Sequence, residues 1–171
     1  MPLSGETNLD GNTDTLDGGT FDWGDSALEA MRDFIAGYPH ADALGALAID
    51  YADRVPGCVG LFPGGLVEVR RTTDLIGNVT VDNQYNFALY TVMSKAPGDD
   101  AKATDNAEVQ MDFQTWVQER SALGLAPTFG DEPRKERMTA SNGAIYSADD
   151  EGTAIYVIHI QATFRRHFRK E

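Results

Sequence analysis

Three histidines, one cysteine and two acidic pairs are the side chains here whose types can do chemistry. A zinc site needs His, Cys or carboxylate groups at short, repeated spacings. His40, His159 and His167 have no such partner close by in sequence, and Cys58 is remote from all three. His159 could act as a general base for acyl transfer, which requires a nucleophile within hydrogen-bond reach. The alternating pattern around it places it in mid-strand, opposite the apolar residues, with no nucleophile implied. Cys58 lies between Gly57 and Val59 in an apolar stretch and reads as a buried, inert thiol. Asp99-Asp100 and Asp149-Asp150 fall in expected loops, where solvated turn carboxylates account for them. Gly57, Gly60, Gly64 and Gly65 lack the Gly-Lys-Ser/Thr ending and strand-to-helix setting of a phosphate loop, and read as turns between short strands. Asp10-Gly-Asn12-Thr-Asp14 begins like a calcium loop. Thr15, however, stands where its glycine belongs, and Phe21 where its closing glutamate belongs. The expectation is no enzyme: no catalytic residue, no cofactor and no metal.

Charge points instead to contacts between molecules. The net charge of −13 works against phosphate binding over the whole surface. Residues 1–25 hold Glu6, Asp10, Asp14, Asp17, Asp22 and Asp25 without a Lys or Arg, whereas the other end reads Arg165-Arg166-His167-Phe168-Arg169-Lys170. Opposite charges at two ends suit complementary patches between subunits or attraction to a charged partner. Arg70, Arg71, His159, Arg165, Arg166 and Arg169 are the candidate contact residues. Phe164 and Phe168 interleave with the basic run as in nucleic-acid stacking platforms. Phe164 also belongs to the apolar face of a strand, which favours protein contact.

A chain of 171 residues, 42% of them hydrophobic, can bury a substantial core as one domain. No apolar run approaches the roughly 18 residues that a membrane span requires. The N-terminus lacks the basic and apolar segments of a signal peptide, and a single cysteine fits folding in a reducing cytoplasm. Asn78-Val-Thr80 matches a glycosylation sequon by chance in that setting.

The elements follow from periodicity. Residues 1–25, rich in Gly, Asn, Asp and Thr, read as an extended acidic arm, and residues 26–171 as one domain. Ser26 and Glu29 have capping-box spacing, ahead of Leu28, Met31, Phe34 and Ile35 on one helical face. Gly37-Tyr38-Pro39 ends that helix. Leu44 to Tyr51 reads equally as helix or strand. Cys58 to Phe62 is a short strand before a Pro63-Gly64-Gly65 turn. Leu66 to Arg71 alternates, with Val67 and Val69 opposite Glu68 and Arg70. From Val79 the odd positions Val81, Tyr85, Phe87, Leu89 and Met93 make an apolar face. From Thr153 to Phe168 the even positions Tyr156, Ile158, Ile160, Ala162 and Phe164 do the same. Met138 to Tyr146 is expected to pair with that last strand as a hairpin. Asp105 to Glu108 has capping-box spacing before Val109, Phe113, Trp116, Val117 and Leu123. The predicted architecture is α+β: a mixed, mostly antiparallel sheet packed against two or so helices.

Leu47-Ala-Ile-Asp-Tyr51 and Gly57-Cys-Val-Gly-Leu-Phe-Pro-Gly64 are followed by Val67-Glu-Val-Arg-Arg71, Asp74 and Gly77. Next come Gln84-Tyr-Asn-Phe-Ala-Leu-Tyr90, Phe113, Trp116, Leu123-Gly-Leu-Ala-Pro127 and Gly130-Asp131, and last Asn142-Gly-Ala-Ile-Tyr146 and Tyr156-Val-Ile-His-Ile160. In order and spacing this succession, over roughly residues 26 to 168, resembles the tail terminator of tailed bacteriophages, often labelled a minor capsid protein. The resemblance implies a structural virion protein, assembled in the bacterial host cytoplasm, forming a hexameric ring on the head-proximal end of the tail tube. Such a ring stops tube growth and offers the head-tail joining surface. Its implied partners are copies of itself, the tube protein and the head-tail connector or stopper, with the sheath as a further candidate. DNA passes through the lumen without specific binding. The acidic arm departs from the pattern. Competing readings are a head-closure or tube-joining protein, a small acyltransferase or ligand-binding protein using His159, and a regulatory domain binding through its charged ends.

Overall fold

A computed structural model of the chain describes residues 26–50 and 52–171. The acidic arm expected over residues 1–25, with its partial calcium-loop pattern, and Tyr51 lie outside the described residues. The elements run α1 (Ala27–Ala36), α2 (Ala41–Leu44), β1 (Ala46–Ile49), β2 (Cys58–Thr73), β3 (Val79–Ser94), α3 (Asp100–Ala122), β4 (Arg137–Ala148) and β5 (Thr153–Phe168). A 3-10 turn at Pro133–Lys135 leads into β4. The strands form one sheet in the order β1-β2-β3-β5-β4. β1 and β2 are parallel and the other pairs antiparallel. The fold is α+β with a mixed, mostly antiparallel sheet.

The spine of the sheet is the pair whose alternation was plainest. β3 and β5 pair without interruption from Val79↔Phe168 to Ser94↔Thr153. Because side chains alternate across a strand, the odd residues of β3 and the even residues of β5 share one face. Val81, Phe87, Leu89 and Met93 are buried on it beside Tyr156, Ile158, Ile160, Ala162 and Phe164. The described helices pack there. Met31, Ile35, Tyr38 and Leu44 meet Phe113, Trp116 and Val117 over the sheet in one apolar cluster. Burying each such side chain contributes about 1.5–3 kcal/mol, which makes this face the main source of stability.

Local chemistry sets the helix ends. Ser26 Oγ accepts from the Glu29 N–H at 3.1 Å, as the capping pattern implies, and the Gly37 N–H bonds back to Asp33 and Phe34. α3 begins earlier than the Asp105–Glu108 pattern suggested. Asp99 takes the cap instead, its Oδ1 accepting from the Lys102 N–H at 2.9 Å. Asn106 is thereby free to turn inward and donate to the Ser94 carbonyl at 3.0 Å. Leu123, expected on the core face, is exposed, because the helix ends there and the chain turns away. The ambiguous stretch before β2 divides at Gly45, with α2 before it and β1 after it.

The largest departure lies in β2. Pro63-Gly64-Gly65 is no turn: a single strand of 16 residues runs through it. Pro63 opposes Phe87 and Gly65 opposes Asn86, so Gly64 is the extra residue of a bulge, and Gly65 adopts φ +87°. Leu61 turns its carbonyl toward Asp50 on the β1 side. Pro63 shares that parity, so its missing N–H faces the open edge beyond β1, where a strand tolerates proline. A second bulge between Glu68 and Arg70 breaks the alternation expected there. Glu68 faces the helix side opposite Asn83, whereas Arg70 faces the other side opposite Asp82.

Candidate interaction surfaces

β2 and β3 extend well past β1 and the helices, and with the end of β5 they form a three-stranded tongue. Asp74 builds its tip. The Asp74 N–H donates to Asn78 O at 3.0 Å, and its Oδ1 accepts from the Ile76 and Asn78 N–H groups at 3.0 and 2.9 Å. Asn78 Nδ2 donates to Asp74 Oδ2 at 2.9 Å, and Gly77 supplies the φ of +90° that the turn requires. Burial opposes ionisation of Asp74, but the hydrogen bonds from Asn78, Ile76 and Gly77 outweigh it and hold the carboxyl below its usual range. This ordered turn carries two aliphatic side chains into solvent: Leu75 is fully exposed and Ile76 is 76% exposed.

On the tongue's helix-free face the basic residues are organised around acids. Arg165 Nε donates to Asp82 Oδ1 at 2.6 Å, and Arg70 stands opposite Asp82 on the neighbouring strand. The Arg165 bond holds the Asp82 carboxyl below its usual range against partial burial, with the charges of Arg165 and Arg70 helping. Glu132 gathers three side chains: Lys135 at 2.5 Å, His167 Nε2 at 2.8 Å and Arg165 at 3.7 Å. Hydrogen bonds from Lys135 and then His167, against some burial, lower its carboxyl to about 2. Asp131 accepts from the His167 N–H at 2.6 Å, and the Asp131 N–H donates to Arg165 O at 2.8 Å. The loop before β4 is thus stitched along the end of β5. Glu136 clamps its other side, accepting from the Phe129 and Gly130 N–H groups at 2.6 and 2.7 Å.

Nearer β1, the same helix-free face is aromatic. Phe62, Ala88, His159 and Ser141 stand in one row across β2, β3, β5 and β4. Phe62 meets Tyr90 edge-on at 5.1 Å, and Tyr90 meets Tyr146 edge-on at 5.5 Å. With Ile155, His159 and Arg54 they enclose a hollow of about 410 Å³. A second, more polar groove of about 600 Å³ runs between α3 and β4, beside the exposed Met111.

The six candidate contact residues therefore divide. Arg71 is held by Glu68, Arg165 by Asp82, and Arg166 by the Phe129 carbonyl and the Phe164 ring. Arg70, His159 and Arg169 are exposed. His159 lines the hollow, but no Ser, Thr or Cys does so among the described residues. Ser141, opposite it, turns its hydroxyl toward the His159 backbone carbonyl at 3.5 Å. Cys58, expected to be buried, is half-buried: Val59 takes the core side of β2 and leaves Cys58 on the uncovered face. Asp99, expected as a solvated loop carboxylate, is a helix cap. Among the described residues no three His, Cys, Asp or Glu side chains are placed to share a metal ion, and no helix is long and apolar enough to cross a membrane.

Sequence reading missed the tip and the hollow. Leu75-Ile76 between Asp74 and Gly77-Asn78 was a usable signal, since apolar residues inside a turn have no core to enter. Phe62, Tyr90 and Tyr146 could have been noticed as aromatics at positions of solvent-facing parity. No protein-family model matches the chain, and no curated protein matches it.

Proposed function

We propose that this chain is a structural subunit that assembles into a closed ring, most like a phage tail terminator capping the head-proximal end of a tail tube. In that role it stops tube growth and presents the surface on which the head connector or stopper docks. The observation that carries the reading is the tongue. A stable two-layer body projects a long, internally braced sheet extension whose tip displays Leu75 and Ile76 to solvent. We read this exposed aliphatic pair, held out on an ordered turn, as a contact site. Tongue and aromatic hollow are different patches, as the head-to-tail contacts of a ring require. The sequence resemblance supplies the tail-tube setting. The net charge of −13 suits a lumen through which DNA slides without sticking.

Light scattering and negative-stain imaging of the purified chain test the ring, and addition to isolated tail tubes tests the setting. A chain that stays monomeric at micromolar concentration and never caps tubes would remove the proposal. The hollow around His159 favours one competing reading, a ligand-binding or acyl-transfer protein. A His159→Ala variant that assembles like wild type, with no ligand bound by either, disposes of it.

A further inference from the structure

We infer that the tongue tip of one copy seats in the aromatic hollow of the next, so that Leu75 and Ile76 are one half of a self-contact and the wall of Phe62, Tyr90 and Tyr146 the other. The inference rests on the ring reading and specifies which surfaces close the ring. Three features support it. The tip is already ordered by the Asp74 hydrogen bonds, so docking it costs little further entropy. The chemistries match: the tip offers two aliphatic side chains beside a carboxylate, and the hollow offers aromatic and aliphatic walls with Arg54 and His159. Distance forbids the contact within one chain. Phe62 lies eleven residues before Thr73, where β2 ends, roughly 30 Å away at a strand's rise even with two bulges. A tip-to-hollow contact therefore joins unlike patches of two copies, which propagates head to tail and closes where the rotation permits.

Disulfide trapping in the full chain tests this. A variant carrying Cys58→Ser, Ile76→Cys and Ala88→Cys places one thiol at the tip and one in the floor of the hollow. Oxidation should give a ladder of linked oligomers ending at the ring size seen by light scattering. Cys58→Ser with Ile76→Cys alone should give no ladder and no dimer. Oligomers without a ladder would overturn the tip-in-hollow contact and leave the ring reading standing. Dimers from the single tip cysteine would overturn it in favour of tip-to-tip pairing, and a monomer throughout would overturn both readings. In a second arm, Leu75→Asp with Ile76→Asp should weaken self-association on the order of tenfold or more. Phe21→Ser with Trp23→Ser should leave self-association unchanged. The reverse pattern would assign the hollow to the N-terminal segment and overturn the inference.

Discussion

Arg71 grips Glu68 with both arms of its guanidinium, Nε to Oε1 at 2.9 Å and Nη2 to Oε2 at 2.7 Å, although the two lie three residues apart on one strand. In a regular strand such residues point to opposite faces. The bulge between Glu68 and Arg70 adds one residue and brings them to the same side. The same bulge returns Arg71 and Thr73 to helix-side parity after Gly64 had reversed it. The two bulges together therefore fix which way the tongue's tip faces.

Deleting Val69 and deleting the ion pair should consequently have different effects. Glu68→Ala removes an exposed, solvent-screened pair and should leave the melting temperature unchanged. Removing Val69 shifts every side chain from Arg70 to Thr73 to the opposite face. It should open residues 66–79 to limited proteolysis while the helical core melts as before. Equal protease resistance in both variants would show that the bulge does not set the tongue's register.

Acid should loosen the far end of β5 before the core. Glu132 is held at about 2, below an ordinary value of 4.5, chiefly by Lys135 and then by His167. A carboxyl lowered in the folded state contributes stability that is fully present above its unfolded value and lost as pH falls through its folded one. The stability advantage of wild type over Glu132→Gln should therefore be greatest above pH 4.5 and shrink as pH approaches 2. Melting temperatures of both proteins across that range are the check, and a constant difference would contradict the network.

Alkali should act through the joint between α1 and α3. Tyr38 is buried against α3 and its hydroxyl donates to Asp112, joining the end of α1 to α3. Burial first, then the Asp112 hydrogen bond and charge, push the phenol well above its ordinary value of 10.0. A group raised in the folded state contributes stability present below its unfolded value and lost as pH climbs past it. Tyr38→Phe should cost about 1 kcal/mol at neutral pH, a modest figure because Asp112 is exposed. Above pH 10 that gap should narrow, and absorbance titration should show one tyrosine of wild type ionising last.

What could be read in advance was what a single local rule decides. The alternation of Val81 to Met93 and of Tyr156 to Phe164 gave both spine strands and their buried faces, because burial on one face permits only one register. Ser26 announced α1 by the chemistry of its hydroxyl. Competing local signals misled where the wider structure chose between them. Asp105 to Glu108 carried the capping pattern and Asp99 read as a loop carboxylate, yet Asp99 takes the cap and Asn106 sits inside the helix, bonded to the Ser94 carbonyl. Pro63-Gly64-Gly65 carried every mark of a turn, yet pairing with β3 on both sides absorbed it as a bulge at an open edge. The hollow was hidden for another reason. Its walls come from β2, β3, β4 and β5, and pairing between distant strands is not a property of any short window.

Gln110 offers the sharpest test of how the helical layer is fastened to the sheet. It is fully buried in α3, and its Nε2 donates to Thr91 Oγ1 at 2.9 Å on β3. Among the described residues no donor reaches its Oε1. Truncation to Gln110→Ala leaves a cavity and an unpaired Thr91 hydroxyl, and should cost on the order of 3 kcal/mol in urea unfolding. Replacing both partners with apolar groups of similar shape, Gln110→Met with Thr91→Val, removes the polar burden along with the bond. That double variant should be as stable as wild type or more so, because paired polar groups in a dry layer gain little over well-packed apolar ones. A double variant as unstable as Gln110→Ala would mean that the Gln110–Thr91 bond, and not the packing around it, holds α3 in place.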